Sequence, residues 1–183
     1  MIGLGRRHYV GTAVGAVLLT LVVLFAQIPR TSVIGLVARG LPWGSNAPRF
    51  VLSTAKGDSI EFPQSEAPCL LVFTSSSCRY SQDLKKKLRS REPIGQWGSV
   101  ILVNAGDLTV AKTTPELSAL EEDIAERYLT LWDPEEQIFK DYQVGGVPAA
   151  YWVERGTILC STRGLTRSLS LLEDLGTKLD AAQ

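Results

Sequence analysis

From Tyr9 to Ile28 the chain reads YVGTAVGAVLLTLVVLFAQI, a run of 20 residues without a charge. At about 1.5 Å per residue it forms a helix roughly 30 Å long, the thickness of a bilayer core. This run divides the 183-residue chain into an N-terminal transmembrane anchor (residues 1–28), an apolar juxtamembrane segment (29–46) and room for one ordinary domain (47–183). Arg6, Arg7 and His8 precede the run, a bias that keeps the N-terminus in the cytoplasm and exports the C-terminal region. Arg30 and Arg39 on the far side weaken that bias. A cleaved signal peptide is the alternative. Its apolar core is usually shorter, and a cut after Ala26 would put Leu24 where a small residue belongs. Arg6-Arg7 also admits a twin-arginine export signal, on two arginines alone.

Charge and composition prune the function classes. All 19 acidic residues fall from Asp58 onward, whereas only 15 of the 19 basic ones lie beyond position 48. The C-terminal region is therefore mildly acidic, which argues against nucleic acid as a partner. The single histidine, His8, precedes the apolar run, so Cys-His and Ser-His-Asp catalysis are excluded from the domain. Three scattered cysteines without a histidine give no zinc or copper site. No glycine-rich phosphate loop is present, and no cofactor is expected.

Thr31–Ser45 (TSVIGLVARGLPWGS) is too apolar for a solvated tether. It fits a helix on the membrane surface with Arg39 and Trp43 near the headgroups, a patch docked on a partner, or a packed segment at the base of the domain.

From Ala47 the pattern alternates between strands and helices. A hairpin is expected for Phe50–Ser53 and Ser59–Phe62 about Lys56-Gly57-Asp58. Buried strands are expected at Leu70–Thr74 and Val100–Val103, and a short strand at Leu129–Trp132. Helices are expected over Tyr80–Leu88, Pro115–Tyr128 with Thr114 as N-cap, Pro134–Tyr142 and Leu165–Ala181. In the first of these, Tyr80, Leu84 and Leu88 mark one face, and Lys85–Lys87 read as a solvated basic face. Glu121, Glu122, Asp123 and Glu126 read as a solvated acidic one. A second hairpin, Pro148–Val153 with Thr157–Ser161, turns at Arg155-Gly156. Trp132 and Trp152 are read as core. The order predicts an α/β fold, a mixed sheet with helices on both faces.

The chemistry points to LLVFTSSSCRYS, Leu70 to Ser81. A buried strand runs into a polar turn, and Cys78 opens a helix. A thiol there faces unpaired backbone N–H groups and the positive end of the helix dipole, which favour a nucleophilic thiolate. Arg79 can add to that effect. A small buried residue capping the helix is the bland alternative.

The stretches APRFVLSTAKGDSIEF, LLVFTSSSCRYS and YQVGGVPAAYWVERGTIL together resemble the membrane-anchored thioredoxin-like proteins of bacteria, of the TlpA, ResA and MauD type. The likeness covers roughly Ala47 to Gln183. It implies a thioredoxin-like fold on the periplasmic side of the bacterial cytoplasmic membrane, with an exported or membrane-embedded protein as partner. It also implies that the Val147–Pro148 bond is cis and lies beside Cys78, and that backbone near Val147 pairs with an extended client. Arg79 and Tyr80 would then flank the bound client. The chain departs from the family where it matters most, because Cys-x-x-Cys is here Cys78-Arg79-Tyr80-Ser81. Ser77 replaces the usual tryptophan, Tyr80 the usual proline, and Val72 stands where thioredoxin carries a buried aspartate. A hydroxyl cannot attack a mixed disulfide, so Ser81 cannot release a client as a second thiolate does.

Neither other cysteine is placed to help. Cys69 lies at the far end of the strand leading to Cys78, roughly 15 Å or more away and beyond the ~7 Å Cα reach of a disulfide. Cys160 is expected opposite Tyr151. Both are read as small apolar core residues. Three functions remain open: monothiol exchange through Cys78, a redox-inactive accessory or scaffold subunit of a membrane complex, and a monothiol peroxidase with Ser75 three residues before its cysteine. The peroxidase lacks the usual upstream proline, since Leu71 stands there, and would need Arg79 or Arg163 near the thiol.

Overall fold

The computed structural model describes residues 40–63, 67–91, 100–106, 109 and 112–180. The run Tyr9–Ile28 expected to be an anchor, and the segment expected to lie beside the membrane up to Arg39, fall outside the described residues. Among the described residues no helix is long and apolar enough to cross a membrane.

The compact unit runs from Gly40. Its elements are β1 (Phe50–Thr54), β2 (Ser59–Phe62), β3 (Cys69–Ser75), α1 (Arg79–Arg89), β4 (Val100–Ala105), α2 (Pro115–Arg127), β5 (Leu129–Asp133), α3 (Gln137–Asp141), β6 (Ala149–Glu154), β7 (Thr157–Arg163) and α4 (Leu165–Asp180). One sheet holds all seven strands in the order β2-β1-β5-β4-β3-β6-β7. β3 is central. It runs parallel to β4, from Leu70 opposite Val100 to Ser75 opposite Ala105, and antiparallel to β6, from Cys69 opposite Val153 to Phe73 opposite Ala149.

Alternation along β3 builds two cores. Leu71 and Phe73 join Ile101, Val103, Leu131, Phe139, Tyr142 and Tyr151 on one side of the sheet. Leu70 and Val72 join Leu84 and Leu88 of α1, Leu120 and Ile124 of α2 and Leu172 of α4 on the other. Burial on both faces explains why β3 reads as a continuous apolar run rather than an alternating one. Trp132 and Trp152 are buried, as expected.

Local chemistry explains the element ends. Thr54 Oγ1 accepts from the backbone N–H groups of Lys56 and Asp58, closing the β1–β2 turn. Thr114 Oγ1 accepts from Leu117 N–H at the start of α2, with Pro115 in the first turn. The third predicted helix is shorter than expected and starts at Gln137. Glu136 has φ 54°, which breaks the helix there, and the buried Asp133 carboxylate takes the N–H groups of Gln137, Ile138 and Phe139.

At the β6–β7 hairpin Arg155 and Gly156 have φ of 51° and 71°, the left-handed pair a two-residue turn requires. A bulge between Trp152 and Val153 then shifts the register by one, so Cys160 faces Trp152 and not Tyr151. Residues 44–47 run beside the start of β7. Gly44 N–H donates to Ile158 O, Ile158 N–H to Ser45 O, and Ala47 N–H to Gly156 O. Leu41 packs on the first core, while Trp43 remains 80% exposed.

Candidate active site

β3 delivers the chain to the site. After Ser75, Ser76 and Ser77 form a turn closed by the Cys78 N–H on Ser75 O at 3.1 Å. Cys78 is the N-cap of α1, with extended backbone (φ −91°, ψ 119°), and its carbonyl takes the Gln82 N–H. Its side chain makes no capping bond. The half-buried thiol instead reaches across to the carbonyl of Val147, with Sγ 3.5 Å from the oxygen.

That carbonyl belongs to the peptide bond before Pro148, which is cis. The loop is held at both ends: Val144 N–H donates to Phe139 O, and Gly164 N–H to Pro148 O. The fold thus brings Cys78, Val147 and Pro148 together from segments 69 residues apart in sequence. Pro148 is buried, Val147 half-buried, and Arg79 exposed. Tyr80, next along α1, is 63% exposed, an aromatic surface beside the thiol and not part of the buried helix face predicted for it.

Ser81 has turned inward. It is fully buried, and among the described residues its hydroxyl has no hydrogen-bond partner.

One turn further along the same face lies Lys85, which is also fully buried, contrary to the solvated face expected for Lys85–Lys87. Lys86 and Lys87 are exposed. The Lys85 ammonium donates to Glu121 Oε1 at 2.5 Å and to Asn104 Oδ1 at 2.7 Å. Glu121 is 6% exposed, so it too departs from its predicted solvated face. The same carboxylate oxygen takes the Ser76 hydroxyl at 2.8 Å, and Asn104 Oδ1 takes that of Thr74. Gln82 Nε2 holds the Ser76 carbonyl at 2.7 Å. Burial pushes the Lys85 ammonium below its ordinary value, while the Glu121 charge and hydrogen bond push it back up.

A buried ion pair therefore sits behind the turn that carries Cys78. It lies on the side of the sheet where Val72 offers no acid. Sequence reasoning missed it, although a signal existed. Ser81, Leu84, Lys85 and Leu88 form the i, i+3, i+4, i+7 stripe of a buried helix face, with a lysine on it. Among the described residues no three histidine, cysteine or carboxylate side chains converge as metal ligands.

The other two thiols are set apart. Cys69 packs in the first core and Cys160 against the second, on opposite sides of the sheet. Burial pushes Cys69 up to about 12, and Cys160 rises through burial and then the Asp174 charge. At pH 8 iodoacetamide should therefore alkylate Cys78 first and Cys69 only on unfolding, as peptide mapping of the native chain would read.

The same burial makes stability depend on pH. Between about 9 and about 12 the unfolded chain gives up the Cys69 proton and the folded chain keeps it. The stability this contributes is complete below pH 9 and lost as pH rises toward 12. Burial raises the Tyr142 phenol in the same direction. The denaturant midpoint should fall above pH 9, and more shallowly in Cys69→Ala.

A seven-stranded mixed sheet, a lone cysteine opening the helix after its central strand and a cis proline against that cysteine define a thioredoxin-like domain with a single site thiol. Solved structures agree on the fold. The chain is similar to a candidate thiol:disulfide interchange protein DsbE from Chlorobium tepidum (TM-score 0.55, 21% identity, 76% of this chain and 99% of that one). It is similar to a candidate protein disulfide isomerase from Bacteroides thetaiotaomicron (0.56, 18%, 79% and 95%) and to the thioredoxin domain of a thiol-disulfide oxidoreductase from Bacteroides vulgatus (0.51, 20%, 74% and 99%). No family model matches the chain. No curated protein matches it either.

Proposed function

We propose that this chain is a membrane-anchored thioredoxin-fold protein that performs monothiol exchange through Cys78 on an exported or membrane-embedded protein client. The observation that carries the reading is the placement of a half-buried thiol at a helix N-terminus, 3.5 Å from the carbonyl that precedes a cis proline. The Cys78 thiolate attacks a client disulfide. The client S–S bond breaks, a Cys78–client S–S bond forms, and the departing client sulfur takes a proton from water. A low-molecular-weight thiol, as thiolate, then attacks Cys78 Sγ. It forms a mixed disulfide with Cys78 and releases the client as a dithiol. A second such thiol frees Cys78 and leaves as the symmetric disulfide. Val147 and Pro148 border the thiol, and Arg79 and Tyr80 offer the client an exposed cationic and aromatic edge. Ser81 takes the place of the second cysteine without its chemistry.

Treatment of the full chain with bis(2-hydroxyethyl) disulfide should give one adduct, on Cys78, that 2-mercaptoethanol removes. Adduct formation no faster than on an unfolded Cys78 peptide would count against exchange. The uncharged Tyr9–Ile28 run and the Arg6-Arg7-His8 bias support an anchor with the domain on the periplasmic side. A periplasm-dependent phosphatase fused after Gln183 should be active, and an inactive fusion would reverse the topology.

Ser81 favours a second reading, a redox-inactive accessory subunit of a membrane complex, because the chain lacks its own means of releasing a client. Under that reading Cys78→Ala leaves partner binding and function intact.

A further inference from the structure

The mouth of the Cys78 site differs in charge from the domain that carries it. From residue 48 onward acidic residues outnumber basic ones by 19 to 15. Three arginines nevertheless border the thiol, each on a different element. Arg79 follows Cys78 as the first residue of α1. Arg163 ends β7 opposite Ala149, the residue after the cis proline. Its side chain runs along Gly146, with Cδ 3.5 Å from where a Cβ on that glycine would stand, next to Val147 in the chain. Arg167 lies in the first turn of α4, which opens just after Gly164, whose N–H donates to Pro148 O.

All three are exposed, and none of their guanidinium groups has a hydrogen-bond or ion-pair partner among the described residues. Arg89 and Arg91, at the far end of α1, are instead paired with Asp123 and Glu173. Neither α1 nor α4 has an acidic residue in its first turn. Asp83, one turn beyond Arg79, is half-buried and leaves Arg79 unpaired. Unpaired arginines gathered at the reactive thiol draw in an anionic partner and turn away a cationic one. Because they come from three elements, the complement is an extended segment with acidic side chains on both sides of its cysteine.

We propose that the Cys78 site selects protein clients whose reactive cysteine is flanked by aspartate or glutamate, with Arg79, Arg163 and Arg167 as the selecting charges. The inference rests on the exchange reading and names its class of client. The probes are three capped tripeptides, Glu-Cys-Glu, Gln-Cys-Gln and Lys-Cys-Lys, each as its mixed disulfide with 2-thiopyridone. Cys78 thiolate attacks the peptide sulfur, the peptide–thiopyridone S–S bond breaks, a Cys78–peptide S–S bond forms, and thiopyridone leaves. Its release is followed with the full chain in detergent micelles, with Cys78→Ala as background. Each rate is divided by that peptide's rate with 2-mercaptoethanol, which removes intrinsic differences in reactivity. The acidic peptide should react roughly fivefold or more faster than the neutral one, and the basic peptide slowest. That advantage should shrink below about twofold in 1 M salt. Arg163→Gln with Arg167→Gln should lower the acidic-to-neutral ratio, and Arg163→Lys with Arg167→Lys should keep most of it. Equal rates for the acidic and neutral peptides would overturn the proposal and leave exchange standing, as would a ratio unchanged in the double glutamine variant. If no peptide reacts at Cys78 above background, the exchange reading fails and the proposal falls with it.

Discussion

Replacing Ser81 with cysteine should convert the protein from a monothiol into a dithiol oxidoreductase. Ser81 is buried one turn into α1, at the second position of Cys-x-x-Cys, and its hydroxyl has no partner among the described residues. The change therefore sacrifices no hydrogen bond and adds little volume. The new thiol stands three residues from Cys78 on the same helix turn and one turn before the Lys85 ammonium. A resolving thiolate held beside the mixed disulfide acts at millimolar or higher effective concentration, so client release should quicken by tenfold or more over release by dilute external thiol. Insulin reduction under a thiol-regenerating system reads this directly. The variant should also show an internal disulfide that shifts on non-reducing gels. If Ser81→Cys forms the disulfide but reduces insulin no faster than wild type, the client surface around Val147 and Tyr80 is not one that receives extended disulfide substrates.

The second large effect concerns the buried ion pair. Lys85→Met should destabilise the fold by about 3–5 kcal/mol, because it leaves the Glu121 carboxylate buried without its cation. The loss is larger than that of a surface pair such as Arg89–Asp123, whose side chains are about half exposed and whose removal should cost less than about 1 kcal/mol. Replacing both partners by apolar residues, Lys85→Met with Glu121→Leu, should recover most of the lost stability, since neither then leaves an uncompensated charge. Ser76 would still lose its acceptor. The double variant should thus remain folded yet hold the Cys78 turn less firmly, and its rate of adduct formation should fall further than its stability. Urea titration alongside alkylation kinetics separates the two. A Lys85→Met variant within about 1 kcal/mol of wild type would mean that water reaches the pair and that it does not brace the site.

These two predictions fall on either side of what could be read from the sequence. The positions of most strands and turns along the chain were legible because their signals are local. Leu70–Thr74 and Val100–Val103 are apolar runs, Lys56-Gly57-Asp58 and Arg155-Gly156 are turn residues, and Thr114-Pro115 is a helix start. The pairing of Cys78 with Pro148 was legible only through resemblance, since nothing local ties segments so far apart in sequence. Lys85 and Glu121 were misread because a run of like charges normally faces water. Only the position of Lys85 on the stripe of Ser81, Leu84 and Leu88 betrays it, and its partners come from β4 and α2. The register at Cys160 failed for a different reason. A bulge inserts one residue without a sequence mark, so counting from the turn lands one position short. The start of α3 was misplaced because the Asp133 side chain, and not Pro134, sets it.

The central claim is that Cys78 turns over as a single thiol, and trapping in the native membrane tests it most directly. Cells carrying wild type or Cys78→Ala are quenched in acid, their thiols blocked, and the full chain isolated and run without reductant. The account predicts higher-mass adducts in wild type that collapse on reduction and are absent from Cys78→Ala, with the released mass identifying the client. Absence of any Cys78-dependent adduct, with the same non-covalent complex recovered from both, would contradict it and leave a thioredoxin fold kept for its surface.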